Sequence, residues 1–240
     1  KVASDAARNR HLILQDANGW TINNFNSALQ LADGQIGVID ISGCTTSKDE
    51  NYMIEFWFKG EPQSATASIM SVGDGLIDIR QDGNNIELAY ANKVYPLTTT
   101  SCLDNQWHHL ALNVLKNGMG SVIVYLDGTA IKQLSAKDFP ALAANHIYLG
   151  AKRDIIAGDE TTYQHVYSQP FKGYFDEFRY WKGHLTSELI RQNMYHRIKD
   201  NAIAMQAYYP FEKTMIDSYH QTVYVPALSN NCGQDRPDFK

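Results

Sequence analysis

Tyr52-Met53-Ile54-Glu55-Phe56-Trp57-Phe58-Lys59 decides the fold. Ile54, Phe56 and Phe58 fall on one side of an extended chain, and Met53, Glu55, Trp57 and Lys59 fall on the other, because successive side chains of a strand point to opposite faces. Similar short runs follow, separated by Gly, Asp and Asn turns. Ser68–Val72 and Leu76–Arg80 flank Gly73-Asp74-Gly75, and Asp82-Gly83-Asn84 is a tight-turn signature before Ile86–Ala91. His108–Leu115 and Ser121–Leu126 form a hairpin across Lys116–Gly120, and Asp127-Gly128 turns the chain into Thr129–Leu134. His146–Gly150 and Gly173–Trp181 complete the series, while Ser27–Ile41 supplies one or two strands around Asp33-Gly34.

One late segment is helical. From Thr186 to Lys199, Leu189, Ile190, Met194 and Ile198 recur at helix spacing, with Thr186 or Ser187 as the cap and Glu188 at the positive end of the dipole. Many short strands and one late helix give an all-β, antiparallel two-sheet sandwich rather than an alternating α/β fold. Lys152–Gln169 reads as a long polar loop between strands. Ala204–Tyr209 is one more strand, and the polar end Ser229–Lys240 reads as linker.

Composition narrows the function. The 240 residues are 44% apolar and 20% charged, an ordinary globular balance for one large domain. A net charge of −5 without a basic cluster argues against nucleic acid, and no apolar stretch has the length of a transmembrane segment. The chain opens on Lys1 with no signal-peptide pattern, as a processed or excised piece would. Cys44, Cys102 and Cys232 are too few and scattered for a disulfide scaffold. Cys44 and Cys102 pair only if their loops meet, and free thiols are the preferred reading.

The carboxylates do not read as catalytic. A retaining glycosidase needs two acids about 5–5.5 Å apart, hence at i and i+2 or i+4 of one strand. Asp176 and Glu177 are adjacent and point to opposite faces, Asp78 has Arg80 at i+2, and Asp49-Glu50 sits in a turn. Strict alternation groups Asp176 with Tyr174, Phe178 and Tyr180, and Glu177 with Phe175, Arg179 and Trp181. The second grouping makes Glu177–Arg179 a surface pair of small value. In Trp107-His108-His109, His109 shares a face with Ala111 and Asn113 opposite the core stripe Leu110, Leu112 and Val114, so structural histidines are expected rather than a base or a metal site. For ligand binding, Tyr163, His165 and Tyr167 of the polar insertion offer aromatic faces beside polar groups, with Trp20 and Tyr95 as weaker candidates.

An ordered set of motifs carries a family resemblance. Ala28-Leu29-Gln30-Leu31-Ala32-Asp33-Gly34, Ile54–Lys59, Trp107-His108-His109-Leu110-Ala111 and Val124-Tyr125-Leu126-Asp127-Gly128 come first. Tyr148-Leu149-Gly150, Phe171–Trp181 and Leu185-Thr186-Ser187-Glu188-Leu189-Ile190 follow in family order. The chain resembles the laminin-G-like branch of the concanavalin A-like lectin/glucanase domains, in the style of large surface proteins of gut Bacteroidetes. The resemblance implies a jelly-roll domain over 1–199, with 200–240 adding a strand plus a linker or the start of a neighbouring module. It implies a non-catalytic carbohydrate-binding or adhesion module, extracellular or at the cell surface, monomeric within a larger protein and partnered by a glycan or a surface protein. The alternatives are a protein–protein interaction or spacer domain and, further off, a glycoside hydrolase on the same fold. It also implies a structural Ca2+ near Asp176, with Asp33 as second ligand, because hard oxygens from carboxylates and turns suit calcium.

Overall fold

The computed structural model describes residues 28–32, 34–98, 102–157, 163–196, 204–211, 215–217, 222–224 and 229–230. The strands are β1 Leu29–Leu31, β2 Ile36–Asp40, β3 Tyr52–Gly60, β4 Ala67–Val72, β5 Ile77–Asp82 and β6 Asn85–Tyr90. Next come β7 Lys93–Pro96, β8 His108–Leu115, β9 Ser121–Leu126, β10 Thr129–Ser135, β11 His146–Leu149 and β12 Lys152–Ala157. Then follow β13 Tyr163–Ser168, β14 Gly173–Lys182, β15 Met205–Tyr209, β16 Met215–Asp217, β17 Thr222–Tyr224 and β18 Ser229–Asn230. Helix α1, Ser187–Asn193, lies between β14 and β15.

Two sheets of eight strands face each other. The helix-side sheet runs β10-β9-β8-β3-β14-β15-β18, with β1 also on β14; the hairpin-side sheet runs β16-β17-β2-β11-β4-β5-β6-β7. Pairing is antiparallel throughout except for β17 on β2. β1 and β2 belong to different sheets and so form no hairpin with each other. Between the sheets lies one apolar core, to which Ile54, Phe56 and Phe58 of β3, Leu110, Leu112 and Val114 of β8, and Ile77 and Ile79 of β5 all contribute. That is the side of β8 the alternation assigns inward, and in β3 it is the apolar one of the two faces the alternation separates. Gly60 and Gly173 pair across β3 and β14, and both are needed bare: a Cβ on either would come 2.5–2.6 Å from the Phe171 ring.

The largest departure from simple alternation is in β14. Trp57 stands opposite Asp176 and Glu55 opposite Arg179, so two residues of β14 answer one of β3. Glu177 takes a left-handed φ of 52°, and its N–H donates to Asp176 Oδ1 at 2.8 Å. This bulge shifts the faces by one residue. Phe175, Phe178 and Tyr180 all join the core, while Arg179 and Trp181 face out across from Glu55 and Met53. The grouping of Asp176 with Phe178 and Tyr180 is thereby corrected.

The outer face of the helix-side sheet is itself covered. Ile190 of α1 joins Met53, Ala111, Tyr125, Trp181, Met205 and Tyr208 in one buried apolar cluster. Thr186 is the cap, its hydroxyl accepting from Leu189 N–H. The helix is shorter than its apolar spacing suggests; Leu189 is exposed, and Ile198 lies outside the described residues. Of the cysteines, Cys102 is a free, buried thiol, whereas Cys44 is disulfide-bonded to a partner outside the described residues. The free-thiol reading is corrected at Cys44. At the chain's end Ser229–Asn230, expected as linker, pairs with Tyr208 and Ala207 of β15.

Candidate functional site

The polar insertion is not a loop. Its two halves form the antiparallel hairpin β12–β13, with Arg153 opposite Tyr167, Ile155 opposite His165 and Ala157 opposite Tyr163. Tyr163, His165 and Tyr167 thus occupy alternate positions of one strand, so backbone register brings the three candidates together. The hairpin's base is fixed to the hairpin-side sheet. Ser68 N–H donates to Gln169 O (2.8 Å), Gly150 N–H to Ile69 O (3.0 Å) and Ser71 Oγ to Ala151 O (2.9 Å). Lys152 lies so close over Gly75 that a Cβ there would stand 2.7 Å from its Cε.

On one side of the hairpin an aromatic and cationic cluster forms. The half-exposed Tyr167 ring stands edge-on to Tyr148 at 5.6 Å, and the Arg153 guanidinium lies 5.5 Å from the centre of the Tyr148 ring. Arg153 also donates to the Tyr148 hydroxyl and pairs with Asp74 at 3.0 Å. His146 stacks at 6.1 Å beyond Tyr148, and Ile155 is exposed. An aromatic edge with fixed donors and acceptors beside it suits a ligand with both apolar faces and hydroxyls. Arg153 and Tyr148 are functional candidates that the sequence reading missed. Their link to Tyr167 depends on the hairpin folding back over β11, which no spacing reveals. Of the weaker candidates, Tyr95 is partly buried on the core and stacked on Tyr90 at 5.1 Å, and Trp20 lies outside the described residues.

The other side of the hairpin is polar. Lys152 Nζ pairs with Asp154 Oδ1 at 2.6 Å, and Ser168 Oγ donates to Asp154 Oδ2 at 2.8 Å. Beneath them Asp78 of β5 is 1% exposed and accepts from Ser68 Oγ at 2.6 Å. Burial pushes its carboxyl above the usual range, against the Ser68 hydrogen bond and the charges of Arg80 and Lys152.

A second set of charges is tied up beneath α1. Arg179 donates to Glu55 Oε1 (3.3 Å), Glu177 Oε2 (2.6 Å), Asn193 O (3.0 Å) and His196 O (2.8 Å). Tyr208 and Trp181 complete the set by donating to Glu177 Oε2 (2.6 Å) and Glu55 Oε1 (3.0 Å). Glu177–Arg179 is therefore a buried pair, not a surface one. Burial alone would raise Glu55, but His109, Arg179 and Trp181 outweigh it and hold the carboxyl below its usual value. His109 approaches Glu55 Oε2 at 3.4 Å, and His108 bridges Asp127 (2.8 Å) and Asp104 (3.1 Å). Burial opposes the charge on His108, yet the two aspartates win and raise its pKa. The histidines of the Trp-His-His motif thus brace turns and strands.

Asp176 is buried and gives one oxygen to the bulge. Leu29 and Leu31 stand opposite Phe175 and Gly173, and residue 33 lies outside the described residues. Among the described residues no three His, Cys, Asp or Glu side chains gather as metal ligands would.

With this geometry in view, a family model described as the concanavalin A-like lectin/glucanases superfamily matches residues 23–191. The chain belongs to this superfamily. No curated protein matches it in sequence. Among solved structures it is similar to a Bacteroides ovatus ATCC 8483 protein described as a candidate carbohydrate-binding protein. The TM-score is 0.59 at 19% identity, over 82% of this chain and 56% of the other. The chain thus spans little more than half the length of that protein. Looser likenesses include domain 4 of a GH43 extracellular arabinanase from Geobacillus stearothermophilus in complex with arabinotriose, with TM-score 0.42, 23% identity, and coverage of 69% and 71%. Another is the CBM40 of the Ruminococcus gnavus IT-sialidase, with TM-score 0.47, 16% identity, and coverage of 65% and 95%. These likenesses are of fold.

Proposed function

We propose that this superfamily member is a non-catalytic carbohydrate-binding module of a larger exported or cell-surface protein, with its ligand face on the β12–β13 hairpin. The observation that carries the reading is the half-exposed Tyr167 ring held edge-on by Tyr148, with Arg153 and Asp74 as fixed polar neighbours. Carbohydrate binding described for the Bacteroides ovatus relative of similar fold agrees with it. A non-catalytic role is supported by Glu55 and Glu177, which both answer to the Arg179 guanidinium beneath α1 instead of facing an open groove. Export is supported by the disulfide at Cys44, since such bridges persist in oxidising compartments. No helix among the described residues is long and apolar enough to cross a membrane.

Glycan-array screening followed by calorimetry tests the reading. Replacing Tyr163 and Tyr167 together by Ala is expected to weaken glycan binding at least tenfold with little change in melting temperature, because the Tyr167 ring is half-exposed and its loss removes a stacking face. Unchanged affinity removes the hairpin from the site. A wild-type chain that binds no glycan leaves the adhesion or spacer role.

A structural calcium ion is a separate proposal, to which the described residues bring Asp176 alone. If present, it stabilises the fold by mass action, so melting temperature should rise from chelator to millimolar calcium. Equal melts in both buffers would remove the ion.

A further inference from the structure

The polar side of the hairpin contains an acceptor with nothing to accept. Asp78 is 1% exposed, its Oδ1 takes the Ser68 hydroxyl proton at 2.6 Å, and its Oδ2 has no hydrogen-bond partner. Gln169, whose carbonyl takes the Ser68 N–H, has a second buried and unpartnered acceptor in Oε1. A buried carboxylate oxygen without a donor costs free energy that a native protein rarely leaves uncompensated. Both atoms belong to residues that hydrogen-bond Ser68, and the Asp78 oxygen can accept a donor brought by a ligand.

We propose that the corner between the hairpin and the outer face of β4–β5 is a second ligand subsite, in which Asp78 Oδ2 accepts a hydroxyl of a neutral sugar and Lys152 donates to the neighbouring oxygen. The inference rests on the carbohydrate-binding reading and adds to it a residue set on the opposite side of the hairpin. The charges around the corner select the ligand class. Asp78, Asp154 and Glu87 face Lys152 and Arg80, a nearly balanced set, with Lys152 on Asp154 and Arg80 on Glu87 at 3.2 Å. A cationic ligand meets two cations and an anionic one meets three carboxylates. A neutral group with adjacent hydroxyls satisfies both signs, since each hydroxyl donates and accepts.

Access follows from the same contacts. The side chains of Lys152 and Asp154 are 26% and 33% exposed and their charges act on the buried Asp78 carboxyl, so this ion pair is the solvent-facing part of the corner. The Lys152 stem crosses Gly75 and carries a flexible ammonium. Movement of that group off Asp154 uncovers the carboxylate and leaves a donor at the rim.

The test is calorimetry of the full chain against neutral arabino-, xylo-, manno- and gluco-oligosaccharides, for wild type, Asp78→Asn, Lys152→Ala and the Tyr163→Ala/Tyr167→Ala pair. Asn keeps the acceptor for Ser68 and turns Oδ2 into a donor. Loss of a hydrogen bond to a charged group then weakens binding about tenfold or more. Melting temperature should stay equal or rise, because a carboxyl with a raised folded pKa opposes folding when ionised at neutral pH. Lys152→Ala should weaken binding in the same direction, and sugar should shift the Asp78 carboxyl carbon in an NMR titration. If Asp78→Asn and Lys152→Ala bind as wild type while the tyrosine pair does not, the corner is overturned and the aromatic site stands. An unmoved Asp78 carboxyl signal at saturating sugar overturns the corner as well. If the wild type binds no sugar, both fall together.

Discussion

Arg179 shows how much a single bulge changes. Without the left-handed Glu177, strict alternation would put Arg179 on the side of Phe175, which faces the core. With it, Arg179 is 1% exposed and serves two carboxylates and two carbonyls at the end of α1. Buried ion pairs are weak evidence of net stability, but removing one partner strands the other in a low dielectric. Arg179→Met should therefore destabilise the chain by about 3–5 kcal/mol at neutral pH, read from urea unfolding. In the wild type, Glu55 has its folded pKa depressed, so its contribution is present above the unfolded carboxyl value and fades as pH falls through the folded value. In the variant the sign reverses: burial without the cation raises both carboxyls, and acidification should narrow the gap between variant and wild type. A constant gap across pH would show that lost packing, not stranded charge, dominates.

At the scale of elements, what the sequence made legible was what a local period can encode. The core stripe of β8 stands where the alternation puts it, and Ile54, Phe56 and Phe58 of β3 share one face as the alternation groups them, because each strand has one face on the core. Thr186 caps α1, since its hydroxyl acts within its own turn. Three features escaped for a shared reason. The bulge at Glu177 needs the register of β3 to be recognised; the hairpin β12–β13 lacks the apolar alternation of a buried strand because it lies over the sheet; and Leu189 sits at an apolar position on the solvent side of a short helix. The candidate site was half legible for that reason. Tyr163, His165 and Tyr167 stand out as aromatics in a polar segment, but Tyr148 and Arg153 acquire meaning only when β12 folds back over β11. Asp78 is less visible still. In sequence it is a strand acid two positions from an arginine, and only the covering hairpin makes it a buried carboxylate with an idle oxygen.

At the scale of the molecule, the family match ends at residue 191, yet the sandwich does not. β15 occupies the side of β14 that continues beyond β1: Leu29–Leu31 covers Phe175 to Gly173, and Met205–Tyr209 covers Phe178 to Trp181. Met205, Ala207, Tyr208, Tyr209 and Phe211 are buried, and the Tyr209 hydroxyl donates to Asp40 O at 3.0 Å in the opposite sheet. Tyr208 donates to Glu177 and presents its ring to Arg179 at 5.4 Å. Each large side chain stabilises by roughly 1.5–3 kcal/mol on burial, so four of them approach the whole of a typical domain's net stability of about 5–15 kcal/mol. Truncation after Lys199 should therefore abolish cooperative folding rather than trim a linker. It would open the edge of β14, leave Glu177 without its phenol donor and expose the Phe178 side of the core. The expected result is a broad or absent thermal transition and collapsed amide dispersion in the 1–199 fragment, beside a sharp transition in the full chain. A fragment that melts like the intact protein would assign β15 to a separate unit and make its pairing with β14 dispensable.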